Sequence, residues 1–192
     1  MKTYFHFRLP PVTCWLISGL LSFPVFLVGQ TLSKFDGYVQ AHFIKTINDA
    51  DISQNPGGLG SGLLVFYSLN SRIRATLDMT CDIQPGGTKE LDIIDGHEVQ
   101  TMGAMHNLLI GLSTSTFKYF SVSIVAGPSL ILPRGLEDWA RVRPSIKPSV
   151  NIFFPKNEKV MLRGYFIQTF KREKWTQSDF TAWGIGLGLK MF

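Results

Sequence analysis

From residue 35 onward, hydrophobic and polar side chains take turns along the chain. In residues 72–82, Ile73, Ala75, Leu77, Met79 and Cys81 fall on one parity, and Arg72, Arg74, Thr76, Asp78, Thr80 and Asp82 on the other. A period of two sorts such sets onto opposite faces of a strand, whereas a helix would scatter the charges around its circumference. Residues 35–43 repeat the pattern, with Phe35, Gly37, Val39, Ala41 and Phe43 opposed to Asp36, Tyr38, Gln40 and His42. Residues 59–69, 98–112, 117–131, 144–154, 159–171 and 181–192 alternate with less contrast. In 144–154, Ile146, Val150, Ile152 and Phe154 oppose Lys147, Ser149 and Asn151. In 181–192, Trp183, Ile185, Leu187, Leu189 and Met191 oppose Gly184, Gly186, Gly188 and Lys190. The pattern predicts eight strands of roughly 9–15 residues, each able to cross a bilayer core when tilted. Their connections alternate between tight turns (69–71, 113–116, 155–158) and longer polar loops (45–57, 83–97, 132–143, 172–178).

Eight such strands predict an all-β, antiparallel, up-and-down barrel, and two versions of it compete. A transmembrane barrel carries its apolar face outside; a soluble lipocalin-like barrel carries it inside. Three features favour the membrane. Short turns at one end and longer loops at the other follow the outer-membrane pattern. Gly60, Gly62, Gly184, Gly186 and Gly188 lie on the polar parity, where they make room for long side chains in a narrow lumen. Large aromatics stand near apolar strand ends, as girdles do: Phe43 and Trp183 toward the loops, Tyr67 and Phe154 toward the turns.

The N-terminal segment reads as an address. Lys2 and Arg8 precede an apolar stretch over 12–28, and Leu27-Val28-Gly29 closes it. This is the layout of a cleaved signal peptide over 1–29, with the barrel over 30–192. A single membrane anchor is the alternative, against which stand Gly19, Pro24 and the lack of a following basic cluster. Removing 1–29 takes two of the 19 bases and none of the 14 acids, so the exported chain carries 17 against 14. It keeps one cysteine, Cys81, which forbids an internal disulfide although export would permit one. Charged residues are only 17% of the chain, which argues against disorder and against a nucleic-acid partner.

The chain ends Gly-Ile-Gly-Leu-Gly-Leu-Lys-Met-Phe, an alternating strand closed by Phe192. This resembles the C-terminal signal by which outer-membrane barrels are handed to their assembly machinery. It departs in parity, because Phe192 directly follows Met191 instead of sharing the face of the preceding hydrophobics; a last residue that has left the sheet would account for this. Over about residues 35–192 the chain resembles the PorT-like family of small outer-membrane β-barrels. The resemblance rests on the eight-strand layout, on Ala126-Gly127-Pro128-Ser129-Leu130, on Asn107-Leu108-Leu109-Ile110-Gly111-Leu112, and on the C-terminal strand. The proline that often opens the fourth strand in that family is missing. The resemblance implies the barrel fold, an outer-membrane location and a place beside a secretion or surface-assembly apparatus; it implies no catalytic residues.

Candidate chemistry is sparse. His42, His97 and His106 show no metal-ligand spacing, and neither a phosphate loop nor a Gly-x-Ser-x-Gly elbow occurs, so no cofactor, metal or catalytic residue is expected. A lipid A-modifying enzyme is the enzymatic alternative, for which His106 on the apolar parity is the one odd residue; a deacylase would want a serine two places on, where Leu108 stands. The predicted interior holds a charge network of Asp36, Arg72, Arg74, Asp78, Arg163 and Lys190. Lys190 should meet Asp36 where the last strand closes on the first, with Arg72, Arg74 and Arg163 at similar depth and Asp78 leaning toward them. In and beside the loops, Arg134, Trp139, Arg141, Arg143 and Trp175 are candidate contacts for lipopolysaccharide phosphates or a protein partner. The expected role is that of a non-enzymatic scaffold in outer-membrane lipid, presenting four loops, with porin-like architecture but an interior that eight strands leave about wide enough for side chains alone.

Overall fold

A computed structural model describes residues 34–49, 57–85, 92–94, 97–99, 102–117, 119–132, 141–154, 157–170 and 178–192. The segment expected to be a signal peptide lies outside the described residues. Among the described residues ten strands follow one another: β1 (Phe35–Asp49), β2 (Gly57–Ser68), β3 (Ile73–Pro85), β4 (Asp92–Ile94), β5 (His97–Val99), β6 (Met102–Phe117), β7 (Phe120–Leu132), β8 (Arg141–Phe154), β9 (Asn157–Phe170) and β10 (Ser178–Lys190). Eight of them close into a barrel in the order β1-β10-β9-β8-β7-β6-β3-β2, and every pair is antiparallel. The remaining two, β4 and β5, form a small hairpin within the second long connection. Most barrel strands are longer than the alternating segments that predict them, β1 most of all because its pairing continues through Thr46, Asn48 and Asp49, whereas β7 is shorter at 13 residues.

Parity is the organising variable, and it places the apolar face outside. Val39, Phe43, Leu108, Ile110, Leu112, Val122, Ile124, Val150, Ile152, Ile185, Leu187 and Leu189 are exposed. Thr76, Asp78, Thr80, Asp82, Asn107, Ser121, Ser123, Lys147, Ser149, Asn151 and Arg163, on the opposite parity, are buried. A lipocalin-like barrel requires the reverse, so the soluble alternative does not fit this chain. β2 and the end of β3 interrupt the alternation: Leu63, Val65 and Cys81 have outer parity and are buried too. At the barrel's two ends the outer aromatics pair across strands. Phe43 meets Trp183 edge-on at 6.2 Å on the loop side, and Phe35 meets Tyr67 at 4.8 Å on the turn side.

The glycines have a geometric reason. β1 sends Gln40, His42 and Ile44 inward, and each is flanked in register by glycine on both neighbouring strands: Gly62 and Gly188, Gly60 and Gly186, Gly58 and Gly184. A Cβ at Gly60 would overlap His42 and Asp82, and one at Gly186 would overlap His42. One at Gly184 would overlap the Tyr165 ring. Large side chains therefore fold down over bare backbone, which lets a narrow barrel hold them. Gly60→Ala is expected to cost about 1–3 kcal/mol by overpacking. Gly164→Ala, whose Cβ would meet nothing within 4 Å, should stay within about 0.5 kcal/mol of the parent. Urea unfolding of the detergent-folded protein checks both, and equal effects would contradict this account of the glycines.

Candidate functional site: the barrel interior and its loop-end rim

The interior is layered. Nearest the turns, Lys190 Nζ lies 2.5 Å from Asp36 Oδ1 across the β1–β10 seam, both side chains about one-third exposed. Arg74, half-buried, sets its guanidinium over Phe66 and Phe153, 5.7 and 5.9 Å from their ring centroids. Those rings belong to an apolar layer with Tyr38, Leu64 and Met161. A second apolar layer, including Ile44, Met105, Ile131, Ile167 and Phe180, lies toward the loops. Between the two sits the polar centre.

Asp78 is the hub of that centre. Its neighbours in register are Leu64 on β2 and Leu109 on β6, neither of which can compensate a carboxylate. Compensation comes from across the lumen. Arg163 Nη2 on β9 donates to Asp78 Oδ2 at 2.6 Å, and Lys147 Nζ on β8 stands 3.2 Å from the same oxygen. Arg163 also donates to Gln40 Oε1 at 3.1 Å and to Ser149 Oγ at 3.0 Å. Lys147 Nζ lies 4.2 Å from the Tyr165 ring centroid, a cation–π contact. From Thr80 the network runs on: Asn107 Nδ2 donates to Thr80 Oγ1 and to Asp82 Oδ2, both at 2.9 Å. Ser129 Oγ donates to Asn107 Oδ1 at 2.5 Å, and His42 Nε2 pairs with Asp82 Oδ1. On the opposite side Asn151, Ser121, Ser123 and Ser149 share hydrogen bonds. Two acids and two bases are thus taken out of water together, with neutral acceptors beside Arg163 and a neutral donor beside Asp82, as buried charge requires.

This arrangement locks strands together across a lumen filled by buried side chains such as Arg163, Phe66, Lys147 and Met105. A porin-like aqueous channel is therefore not the architecture: the lumen is packed with side chains. Among the described residues, no group of three His, Cys, Asp or Glu side chains could hold a metal ion. His106 stands half-exposed on the outer parity, in register with Cys81 and Leu130.

The predicted site residues are distributed differently from expectation. Asp36 and Lys190 are paired, and Asp78 and Arg163 are paired, but these are two separate sites. Asp78 does not lean toward the turns, because its cations lie at mid-barrel. Arg163 is well inside the 14-residue β9 and not beside its turn. Arg72 is not in the lumen: it sits exposed in the turn of residues 69–72, where its N–H and that of Ile73 donate to Asn70 Oδ1 at 2.9 and 2.8 Å. Lys147, Gln40, His42, Asp82 and Asn107 complete the network; all five lie on the polar parity, but none is among the predicted members. At the loop end, Arg141 and Arg143 open β8, in register with Ile131 and Ser129. Arg134, Trp139 and Trp175 lie outside the described residues.

No protein-family profile and no curated protein sequence matches the chain. Solved structures do. The chain is similar to the crystal structure of Ail, the attachment invasion locus protein of Yersinia pestis, in complex with the heparin analogue sucrose octasulfate. The match has a TM-score of 0.52 and 11% identity over 82% of this chain and 99% of that one. It is also similar to the backbone structure of the Yersinia pestis outer membrane protein Ail in a phospholipid bilayer nanodisc, with a TM-score of 0.51 and 11% identity over 81% and 98% of the two chains. At that identity the correspondence is one of fold: a closed, eight-stranded, antiparallel barrel.

Proposed function

We propose that this chain is an integral outer-membrane β-barrel, exported by an N-terminal signal, that acts without catalysis as a scaffold holding its long loops at the cell surface. One observation carries the reading: the barrel is inverted relative to a soluble one, with a paired polar centre inside and large apolar side chains exposed on the outside of most strands. Such a surface is stable only against lipid. The shared fold with Ail, an outer membrane protein, supports it. Membrane fractionation tests it. The chain should sediment with outer membranes and migrate faster unheated than heated in detergent gels; recovery in the soluble periplasm would overturn it.

The basic loop-end residues define the interaction expected of the scaffold. Arg141 and Arg143, which open β8 at the loop end, are offered as an anion-binding rim for lipopolysaccharide phosphates or other polyanions. The Ail structure holds a heparin analogue. Reversing Arg141 and Arg143 to Glu together should lower the salt concentration at which the folded barrel leaves immobilised heparin, used as a polyanion probe, because such contacts are screened by salt. An unchanged elution point would remove these two residues from the rim.

The PorT-like sequence features support a finer version of the reading, in which the barrel is an accessory of a secretion or surface-assembly apparatus and its loops meet a protein. Cross-linking in intact membranes, followed by recovery of the barrel, tests that version directly.

A further inference from the structure

The mid-barrel centre matches its charges, and the turn end does not. Among the described inward-facing residues of that end, Arg74 and Lys190 stand against Asp36, and Lys190 takes Asp36 at 2.5 Å. Arg74 meets no carboxylate and no hydrogen-bond acceptor among the described residues. Its guanidinium rests over the rings of Phe66 and Phe153. A cation on two ring faces is held in place but not neutralised. Beside it, strand pairing sets two further unmet groups. Ser113 on β6 is the register partner of Arg74, and Thr76 lies two residues along β3 on the same face. Both are buried, 2% and 1% exposed, and neither hydroxyl has a hydrogen-bond partner.

We propose that the turn-end mouth of the barrel is an anion-binding site, in which Arg74, Ser113 and Thr76 together hold one carboxylate or phosphate group. The argument is one of matching needs. A buried hydroxyl without a partner is costly, and so is a half-buried cation without a counter-ion. Water would answer the hydroxyls and leave the charge; a metal cation would oppose it. An oxyanion answers both, because it accepts from the guanidinium fork and from two hydroxyls at once. The surrounding field has the right sign. Lys34 and Arg72 are exposed at the same mouth. Ser68, in register with Arg74, donates its N–H to the Lys34 carbonyl at 3.0 Å, and Ser115 donates to the Arg72 carbonyl at 2.9 Å. Exposed bases there concentrate an anion, and the buried hydroxyls select its geometry. The site goes beyond the scaffold reading and stands without it; in the outer-membrane reading it opens to the periplasm, at the opposite end from Arg141 and Arg143.

The test is a titration of the detergent-folded full chain, labelled with 15N at arginine, in a phosphate-free maltoside detergent at constant ionic strength. Inorganic phosphate and acetate are the probes. The Arg74 Nε–H signal should move and saturate, while the exposed Arg72 moves little and Arg163 stays still. Ser113→Ala and Thr76→Val should each raise the phosphate midpoint several-fold, and the double variant should raise it further. Phosphate should also raise the urea midpoint of the parent, because a ligand of the folded state stabilises it, but not that of Arg74→Gln. That second readout needs no hydroxyl variant to fold. A linear drift shared by Arg72 and Arg74 means an adventitious ion only and overturns the site. So does a midpoint unchanged in the double variant, or a urea response retained in Arg74→Gln. Nanodiscs of phosphatidylglycerol identify the source of the group. An Arg74 signal already at its saturated position before phosphate is added assigns the site to a lipid headgroup; one that still titrates assigns it to a free anion. Either result supports the site.

Discussion

Asp78→Asn should be among the most damaging single changes in this barrel, although it alters only one polar atom. The substitution leaves Arg163 and Lys147 buried together, with side-chain exposures of 1% and 0%, and without the carboxylate between them. Removing one partner of a buried ion pair typically costs about 3–5 kcal/mol, because the remaining charge stays desolvated. Here two bases are stranded, and they would also repel each other. A loss at or beyond the top of that range is expected, seen as a fall in the urea midpoint of the detergent-folded barrel or as failure to reach the heat-modifiable form. Asp36→Asn is the control. Its partner Lys190 is about one-third exposed, and for a pair open to solvent the expected loss is about 1 kcal/mol or less. A double change of Asp78→Asn with Lys147→Met should recover part of the loss by removing one stranded base. If Asp78→Asn and Asp36→Asn cost the same, the mid-barrel centre is not what holds the strands together.

That contrast also marks how far the sequence reaches. Parity along a strand is local, so two-residue periodicity alone separates Asp78 and Lys147 from Leu77 and Ile146; that the apolar face points outward rests instead on the turn and loop lengths, the glycines and the aromatics near the strand ends. The Asp36–Lys190 pair is legible too, because both residues have inward parity and lie near the end at which the last strand runs down beside the start of the first. The partners of Asp78 were not. They sit across the lumen on β8 and β9, 69 and 85 residues away, and which opposed residues share a depth is set by the stagger of the closed barrel. Treating Arg163 as neighbour to a turn was an error of the same origin. The apolar layers were hidden for a different reason: Leu64, Phe66, Met105, Leu109 and Met161 lie on the polar parity, where a reading in two classes expects polar residues. The hairpin of β4 and β5 is too short to show as alternation. Phe192 is out of phase by count, and only the structure shows where it sits: Gly37 N–H donates to its carbonyl and Met191 N–H donates to the Gly37 carbonyl.

Ile110→Arg should cost about 2–4 kcal/mol, the range for a cation placed at the bilayer midplane on the outer wall of a barrel. Ile110 lies at the middle of β6, is 65% exposed, and has Leu77 and Ala126 as its neighbours in register. Nothing within the protein is displaced by the longer side chain, so the penalty would come from lipid and not from packing. Two comparisons isolate that cause. Leu189→Arg places the same charge on an equally exposed residue, 62% accessible, one residue before the end of β10. There the side chain can reach the interface, and the expected cost falls to about 0–1 kcal/mol. In water, by contrast, an exposed apolar residue exchanged for arginine would be nearly neutral at both positions. The measurement is urea unfolding from phospholipid vesicles for the three proteins. A steep difference between positions 110 and 189 means that the apolar wall is solvated by hydrocarbon and that its depth runs along the strands as described. Equal tolerance at the two positions would mean that the outer face never meets a bilayer core, and it would remove the membrane from every functional step built on this fold.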